Sequence, residues 1–343
     1  MLGDRLERLR ETWAAAYLCA AGSYTAVRQE EDAPIDNVRD TIAASPLTSC
    51  TGFQVDSPSP MLFARSGTGH PLRVDISNGV PLPDLGRQLV EWPRIPGKRA
   101  KTTVFLDGTT YGVTIGDYQQ FVVDPDHSSI QVWGDTEPPM REALLWSTPT
   151  ALCAIHRGDI ALHAASVDIG GRAVLLAAPT TAGKTTLAAA FHAAGFRTLS
   201  DDLSCCRTDG GPWVYPGPAL LRMRPDMAST LGLPDTQVPY RSEVKVYHAI
   251  DPQRRGTGEM VPLGGIMFLR EGGGPPRFEP RPNIETIRDL WGLSFFLPGD
   301  EDHLRAFGGL VDVVGRVPAW DLYRELTLDA LADTIKAIVH KVR

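Results

Sequence analysis

Arg172-Ala-Val-Leu-Leu-Ala-Ala178-Pro-Thr-Thr-Ala-Gly183-Lys184-Thr185-Thr-Leu-Ala-Ala-Ala-Phe-His-Ala-Ala194 holds three kinds of text in succession. The first seven residues are largely apolar, as a strand buried on both faces requires. The stretch from Thr186 to Ala194 favours a helix, and Gly195 closes it. Between them, Ala178-x4-Gly183-Lys184-Thr185 is a Walker A pattern with Ala178 in the first glycine's place. Strand, loop and helix in that order predict an α/β fold. Backbone N–H groups of such a loop, together with the helix dipole, favour anions. Pro179, Thr180, Thr181, Ala182, Gly183, Lys184, Thr185 and Thr186 are therefore expected to bind nucleotide phosphates. Lys184 would neutralise the β- and γ-phosphates and the Thr185 hydroxyl would ligate magnesium, so ATP and Mg2+ are the expected cofactors. The bland alternative is a strand-to-helix turn with an incidental lysine.

Downstream, Phe196-Arg-Thr-Leu-Ser200 reads as a strand of about 17 Å, close to the roughly 16 Å of the preceding helix. A right-handed crossover of matched lengths brings Asp201-Asp202 back beside the loop. One carboxylate is expected to hold magnesium, with a lean to Asp202, and the other to accept a proton from an attacking hydroxyl or orient it. Two solvated acids at a strand end are the alternative. Upstream, Ile160-Ala-Leu-His163-Ala-Ala-Ser-Val167 and the turn Asp168-Ile-Gly-Gly171 predict a β-hairpin leading into the loop strand, hence a mixed sheet. On one continuous strand His163 would share a face with Ala161, Ala165 and Val167. That leaves it either beside the reacting groups or packed in the core.

Arg222 and Arg224 alternate on a predicted strand, where either could clamp the γ-phosphate or lie solvated at the surface. Lys245 has the same two readings. Asp251-Pro-Gln-Arg-Arg-Gly-Thr-Gly258 is expected to be a mobile connection or a substrate gate. Cys205 and Cys206 are adjacent, so on a strand they face opposite ways and read as packing.

Residues 2–21 repeat apolar positions at helical spacing, and 62–133 is a run of short β-type segments with a turn at Asp107-Gly108. Two domains are expected in 343 residues: an α+β recognition domain over 1–139 and an ATP-binding catalytic domain over 140–343, joined near Gly134-Asp-Thr-Glu-Pro-Pro139. A net charge of −7 gives no electrostatic reason for nucleic acid or an anionic membrane as partner. Five cysteines without metal spacing, and no signal-peptide pattern at the N-terminus, suit a reduced cytoplasmic setting.

The order Leu162-His163-Ala, hairpin, Walker A, helix, Ser200-Asp201-Asp202 resembles the HPr kinase/phosphorylase family, and looks closer still to kinases of that kind in peptide natural-product pathways. The resemblance spans about residues 155–226. It implies a mixed-sheet domain similar to that of phosphoenolpyruvate carboxykinase. It also implies that Lys184 and Thr185 bind phosphates and magnesium, that Asp201 and Asp202 divide metal binding and proton acceptance, and that His163 sits beside the transferred group. The loop departs from the family in carrying Thr180-Thr181-Ala182, with Thr186 where the family has an acid, and the family's C-terminal hallmark is not recognisable. These departures point away from HPr as substrate and from the reverse, phosphorylase reaction.

The expectation is an ATP- and Mg2+-dependent kinase acting on a hydroxyl, foremost a serine or threonine of a peptide or protein. A small-molecule kinase and a nucleotide-dependent switch with little catalysis are the alternatives. Both aspartates favour a catalyst over the switch.

Overall fold

The computed structural model describes residues 48–77, 83–92, 102–179, 182–295, 297 and 300–343. The helix expected over 2–21 lies outside them. The chain opens with β1 (Thr48–Cys50), β2 (Phe53–Asp56), β3 (Arg65–Ser66), β4 (His70–Ile76) and β5 (Arg87–Trp92), followed by β6 (Thr102–Asp107), β7 (Thr110–Ile115), β8 (Gln119–Asp124) and β9 (Ser129–Trp133). These form a nine-stranded sheet in the order β3-β1-β2-β4-β9-β8-β7-β6-β5, with parallel pairs only at β2–β4 and β4–β9. The expected turn joins β6 to β7, and Gly108 supplies its positive φ of 60°.

Helix α1 (Pro138–Leu145) begins inside the expected linker, with proline in its first turn, where no intrahelical N–H is needed. Helix α2 (Thr148–His156) follows and packs with Phe121, Val123 and Ile130 of the first sheet in one apolar cluster. That cluster continues into Ala161, Leu203, Cys205 and Tyr215 of the next sheet, so the two sheets share a core.

Next come β10 (Ile160–Leu162), β11 (Ala164–Asp168), β12 (Ala173–Ala177), α3 (Lys184–Ala193), β13 (Arg197–Ser200), β14 (Ser204–Arg207) and β15 (Trp213–Tyr215). A small sheet follows, made of β16 (Leu220–Met223), β17 (Tyr240–Arg241) and β18 (Val246–Ala249), with α4 (Pro225–Thr230) between its first two strands. The chain ends with β19 (Val261–Glu271), β20 (Arg277–Pro280), α5 (Asn283–Trp291), β21 (Ser294–Phe295), α6 (Asp300–Arg316), β22 (Ala319–Arg324) and α7 (Ala330–Val342).

The large second sheet is mixed, as the hairpin before the loop predicts. Strand β12 runs antiparallel to β11 and parallel to β19, and β19 runs parallel to β22. Every residue of β12 is buried, and alternation sends its side chains into two cores. Val174 and Leu176 meet Leu187 and Phe191 of α3 and Ile335 of α7. Leu175 and Ala177 meet Leu290 of α5 and Val313 of α6. Helices thus cover both faces of the strand that carries the loop.

The crossover passes over one intervening strand. Strand β13 pairs antiparallel with β11 rather than with β12, so the hairpin strand lies between the two halves of the β12–α3–β13 unit. The direction of β13 is unchanged, and its C-terminal end still arrives at the loop.

Two arginines, Arg65 and Arg157, fasten the first sheet to the second. Arg65 is 1% exposed; its Nε donates to Gly217 O at 2.8 Å and its Nη2 to Thr198 O at 2.9 Å and Leu199 O at 3.1 Å. Arg157 donates to Gly52 O and Thr51 O, both at 3.0 Å, and its guanidinium stacks on Phe53 and Tyr215. Arg65 spends its donors on backbone carbonyls, and Arg157 divides its own between carbonyls and Asp159.

Candidate active site

The phosphate loop follows β12 and ends at Gly183, whose φ of 81° places it in the left-handed region. A Cβ there would stand 2.6 Å from Nη2 of Arg324, so glycine is required by conformation and by space. Lys184 opens α3 and is buried, with Nζ donating to Ala178 O at 2.6 Å and Pro179 O at 3.2 Å. Thr185 Oγ1 donates to the carbonyl of Asp201 at 3.4 Å, which ties the start of α3 to the end of β13. Ala182 accepts from Arg324, and Thr186 lies half-buried in the first turn of the helix. Pro179 is exposed at the loop's entrance; Thr180 and Thr181 lie outside the described residues.

His163 occupies a place that its reading on one continuous strand missed. The strand breaks at this residue: β10 continues one side of the sheet, pairing with β14 and β21, and β11 pairs with β12 and β13. The His163 N–H leaves the ladder to donate to Leu293 O at 2.7 Å. The imidazole lies between two charged groups, with Nε2 3.3 Å from Lys184 Nζ and Nδ1 3.3 Å from Asp202 Oδ1. An ammonium can only donate, so Nε2 is the acceptor and Nδ1 carries the proton that points at Asp202.

Sequence alone left the two aspartates undivided, and the geometry separates them. Asp201 is 1% exposed and fully engaged by Arg222: Oδ2 accepts from the Arg222 backbone N–H at 2.8 Å and from Nε at 3.3 Å, and Oδ1 accepts from Nη2 at 3.1 Å. Asp202 keeps a side chain 39% exposed, with Arg222 Nη2 3.1 Å from Oδ2. Burial on its inner side works to raise the Asp202 carboxyl. Arg222 above all, with His163, Lys245 and Lys184 beside it, outweighs that and holds it down at about 2. Desolvation opposes the charge on Arg222, and Asp201 and Asp202 more than restore it, raising its pKa.

A triangle of buried hydroxyls steadies the strand ends that present these groups. Ser166 Oγ and Ser200 Oγ are 3.0 Å apart, Ser200 Oγ and Ser204 Oγ 2.7 Å, and Ser204 Oγ lies 3.0 Å from Ser166 Oγ while donating to Ala164 O at 2.9 Å. The triangle crosses β11, β13 and β14 directly behind His163 and Asp201.

The weaker sequence candidates divide cleanly. Arg222 is in the cluster, whereas Arg224 is a 72% exposed residue paired with Asp226 at 2.7 Å. Lys245 lies immediately before β18, near enough to lower the Asp202 pKa. Residues 251–258 are not at the site. Arg254 donates to His192 O in the last turn of α3, Arg255 is buried against Ile250 O and Ala64 O, and Arg197 donates to Thr257 O. The segment is therefore pinned at the opposite end of α3 and cannot gate the loop. Cys205 and Cys206 are buried on opposite faces, in different clusters.

Arg324 is the site residue that sequence reading overlooked. It is 3% exposed at the end of β22, with Nη2 donating to Ala182 O at 3.2 Å and Nε buried without a hydrogen-bond partner. Burial lowers its pKa. Its position over Gly183 depends on β22 pairing with β19 more than 130 residues after the loop, and no local signal in the sequence reveals that.

No family model matches the chain, and no curated protein matches it. Among the described residues no helix is long and apolar enough to cross a membrane. Among solved structures the chain is similar to the HPr(Ser) kinase/phosphatase from Coxiella burnetii, over 53% of this chain and 95% of that one, at 11% identity and a TM-score of 0.29.

Proposed function

We propose that the chain is an ATP- and Mg2+-dependent kinase that transfers the γ-phosphoryl group to a hydroxyl, with a serine or threonine of a peptide or protein as acceptor. One observation carries the reading: Lys184, His163, Asp202 and Arg222 meet in a continuous polar line where a glycine-capped helix N-terminus opens. A structural ion pair needs neither the helix N-terminus nor a partly exposed carboxylate among so many cations.

Loop N–H groups and Lys184 would bind the phosphates of ATP. Thr185 Oγ1 and the Asp202 carboxylate are hard oxygen donors, a set that suits Mg2+ when substrate phosphates supply the remaining ligands. Bound there, the ion would neutralise charge on the phosphate oxygens. Arg222, anchored by Asp201, presents a second cation toward the transferred group. His163 Nδ1–H would hold Asp202 Oδ1 and Arg222 would hold Oδ2, which fixes the carboxylate beside the transferred group. A carboxylate held near 2 is a weak base. Asp202 would thus act chiefly by orienting the hydroxyl and would take its proton late, as a loose phosphoryl-transfer transition state allows. The bond from the γ-phosphorus to the bridging oxygen breaks, and the bond to the acceptor oxygen forms.

Lys184→Ala tests this reading. Transfer from γ-labelled ATP should be abolished while the thermal melt persists, because the ammonium faces the loop rather than the apolar core. Near-parental transfer by a folded variant would remove the proposal.

A further inference from the structure

Buried guanidinium groups meet their charge in different ways in this chain, and Arg324 does so least completely. Arg281 is neutralised by Asp289 and Asp321, both at 2.7 Å. Arg65 has no such ion pair, yet all three of its guanidinium nitrogens donate to backbone carbonyls, those of Gly217, Arg255, Thr198 and Leu199. Arg324, 3% exposed, has neither arrangement. Its Nη2 donates to Ala182 O at 3.2 Å and its Nη1 to Glu325 O at 3.4 Å, both neutral acceptors, while Nε is buried without a partner. Among the described residues no carboxylate pairs with it, so burial alone bears on its charge and lowers its pKa. A buried cation with neither an anion nor a full set of acceptors is costly to keep.

Its place in the fold gives that charge a use. Arg324 ends β22, where its carbonyl accepts from the Gly272 N–H at 2.9 Å, and its guanidinium lies against the phosphate loop. Nη2 is 2.6 Å from where a Cβ on Gly183 would stand, so only glycine lets the cation approach the loop backbone this closely. The peptide unit that joins Ala182 to Gly183 is trans, so its C=O and N–H point in opposite directions. Arg324 grips the C=O. The Gly183 N–H is thereby turned away from Arg324. Gly183 is the N-cap of α3, where N–H groups have no intrahelical acceptor and are the donors such a loop offers to phosphate.

We infer that Arg324 is a positioning residue for the nucleotide: from behind the loop it aims the Gly183 N–H at the phosphate chain, and that chain supplies the negative charge the guanidinium lacks. The assignment rests on the kinase reading above and deepens it by adding a residue that sets nucleotide affinity without standing at the transferred group. Attraction between cation and phosphate acts across a single peptide unit in a buried setting, where water screens it little. The free chain carries the cost of the unpaired charge, and binding of the nucleotide relieves it.

Calorimetric titration of the full chain with Mg-ATP and with inorganic triphosphate, beside a thermal melt without ligand, tests it. In Arg324→Met the Kd for both ligands should rise at least ~10-fold, as loss of a charge-assisted hydrogen bond implies. The melt without ligand should hold or rise, because the substitution removes a buried charge that has no anion. Arg324→Lys keeps the charge and a donor, and its Kd should return to within about threefold of the parent. In transfer from γ-labelled ATP, the methionine variant should lose more in KM for ATP than in kcat. Parental affinity in Arg324→Met would overturn the assignment. So would a ligand-free melt far below the parent's, which would make Arg324 a structural prop. Weakened ATP binding with triphosphate binding intact would place the cation at the nucleoside and overturn it as well. Binding is measured without turnover, so the two readings fail separately. Arg324-dependent binding in a chain that never transfers phosphate would keep this assignment and remove the kinase reading; transfer at parental KM by Arg324→Met would do the reverse.

Discussion

Helix α3 has a histidine near each of its ends, and the two surroundings treat the same imidazole in opposite ways. At the first turn His163 is 30% exposed and bridges Lys184 and Asp202. In the last turn His192 is 1% exposed and faces His248, which is fully buried, with ring centroids 6.3 Å apart. Burial pushes His192 down to about 3 and His248 down to about 4, and the Arg254 cation adds to both shifts. Both ring nitrogens of His248 are buried without hydrogen-bond partners. A histidine thus joins a polar line where a carboxylate faces it at close range, and is a neutral packing residue where burial and neighbouring cations dominate. Arginines follow the same division, with Arg222 held by two aspartates at one end and Arg254 capping a carbonyl at the other.

The comparison can be broken most forcefully at Asp201. Removing the carboxylate leaves Arg222 with Asp202 as its remaining anion in the cluster and takes away the acceptor of its backbone N–H. Asp201→Ala should therefore cost about 3–5 kcal/mol of stability by urea unfolding, besides losing activity. A variant as stable as the parent would mean that Asp201 does not anchor the site.

The far end is sharpened by pH. The unfolded chain binds protons at His192 and His248 below about 6.5, while the folded chain refuses them until about 3 and 4. Stability from these groups is therefore full above 6.5 and falls as pH drops toward 4. Glu142 acts oppositely between about 4.5 and 7, because burial raises its carboxyl to about 7 despite hydrogen bonds from Trp146, Phe63 and Leu62. The difference between parent and His248→Phe isolates the histidine. The parent should lose about 2 kcal/mol more than the variant between pH 7 and pH 5, from 1.36 kcal/mol per pH unit below 6.5. Parallel stability curves would show that His248 takes up its proton in the folded state.

The smallest effect belongs to Arg224→Ala, which should leave stability within about 0.5 kcal/mol and transfer unchanged. A large loss there would erase the distinction between the two arginines on and beside β16.

Much of the near end was legible because its signals are local. The loop spacing, the matched lengths of helix and strand, and the Asp-Asp pair after it all fall within the residues from Arg172 to Asp202. Three features were not legible, each for a physical reason. The break at His163 comes from a strand that serves two neighbours, and alternation alone cannot show a residue leaving the ladder. The inequality of Asp201 and Asp202 depends on Arg222, which β16 and β18 carry in from a separate small sheet. Arg324 reaches Gly183 through pairing at long sequence separation. Residues 251–258 misled for the opposite reason: polar, glycine-containing text suggests mobility, yet its arginines are fixed on backbone carbonyls.

The most direct test of the account is phosphate transfer from γ-labelled ATP by the parent and by Asp202→Asn across a magnesium titration, with a thermal melt beside each. The account predicts transfer by the parent, a loss of at least ~100-fold in the variant, a higher magnesium requirement for what remains, and a nearly unchanged melt because Asp202 is the partly exposed member of the pair. Equal rates at every magnesium concentration in a folded Asp202→Asn would contradict it.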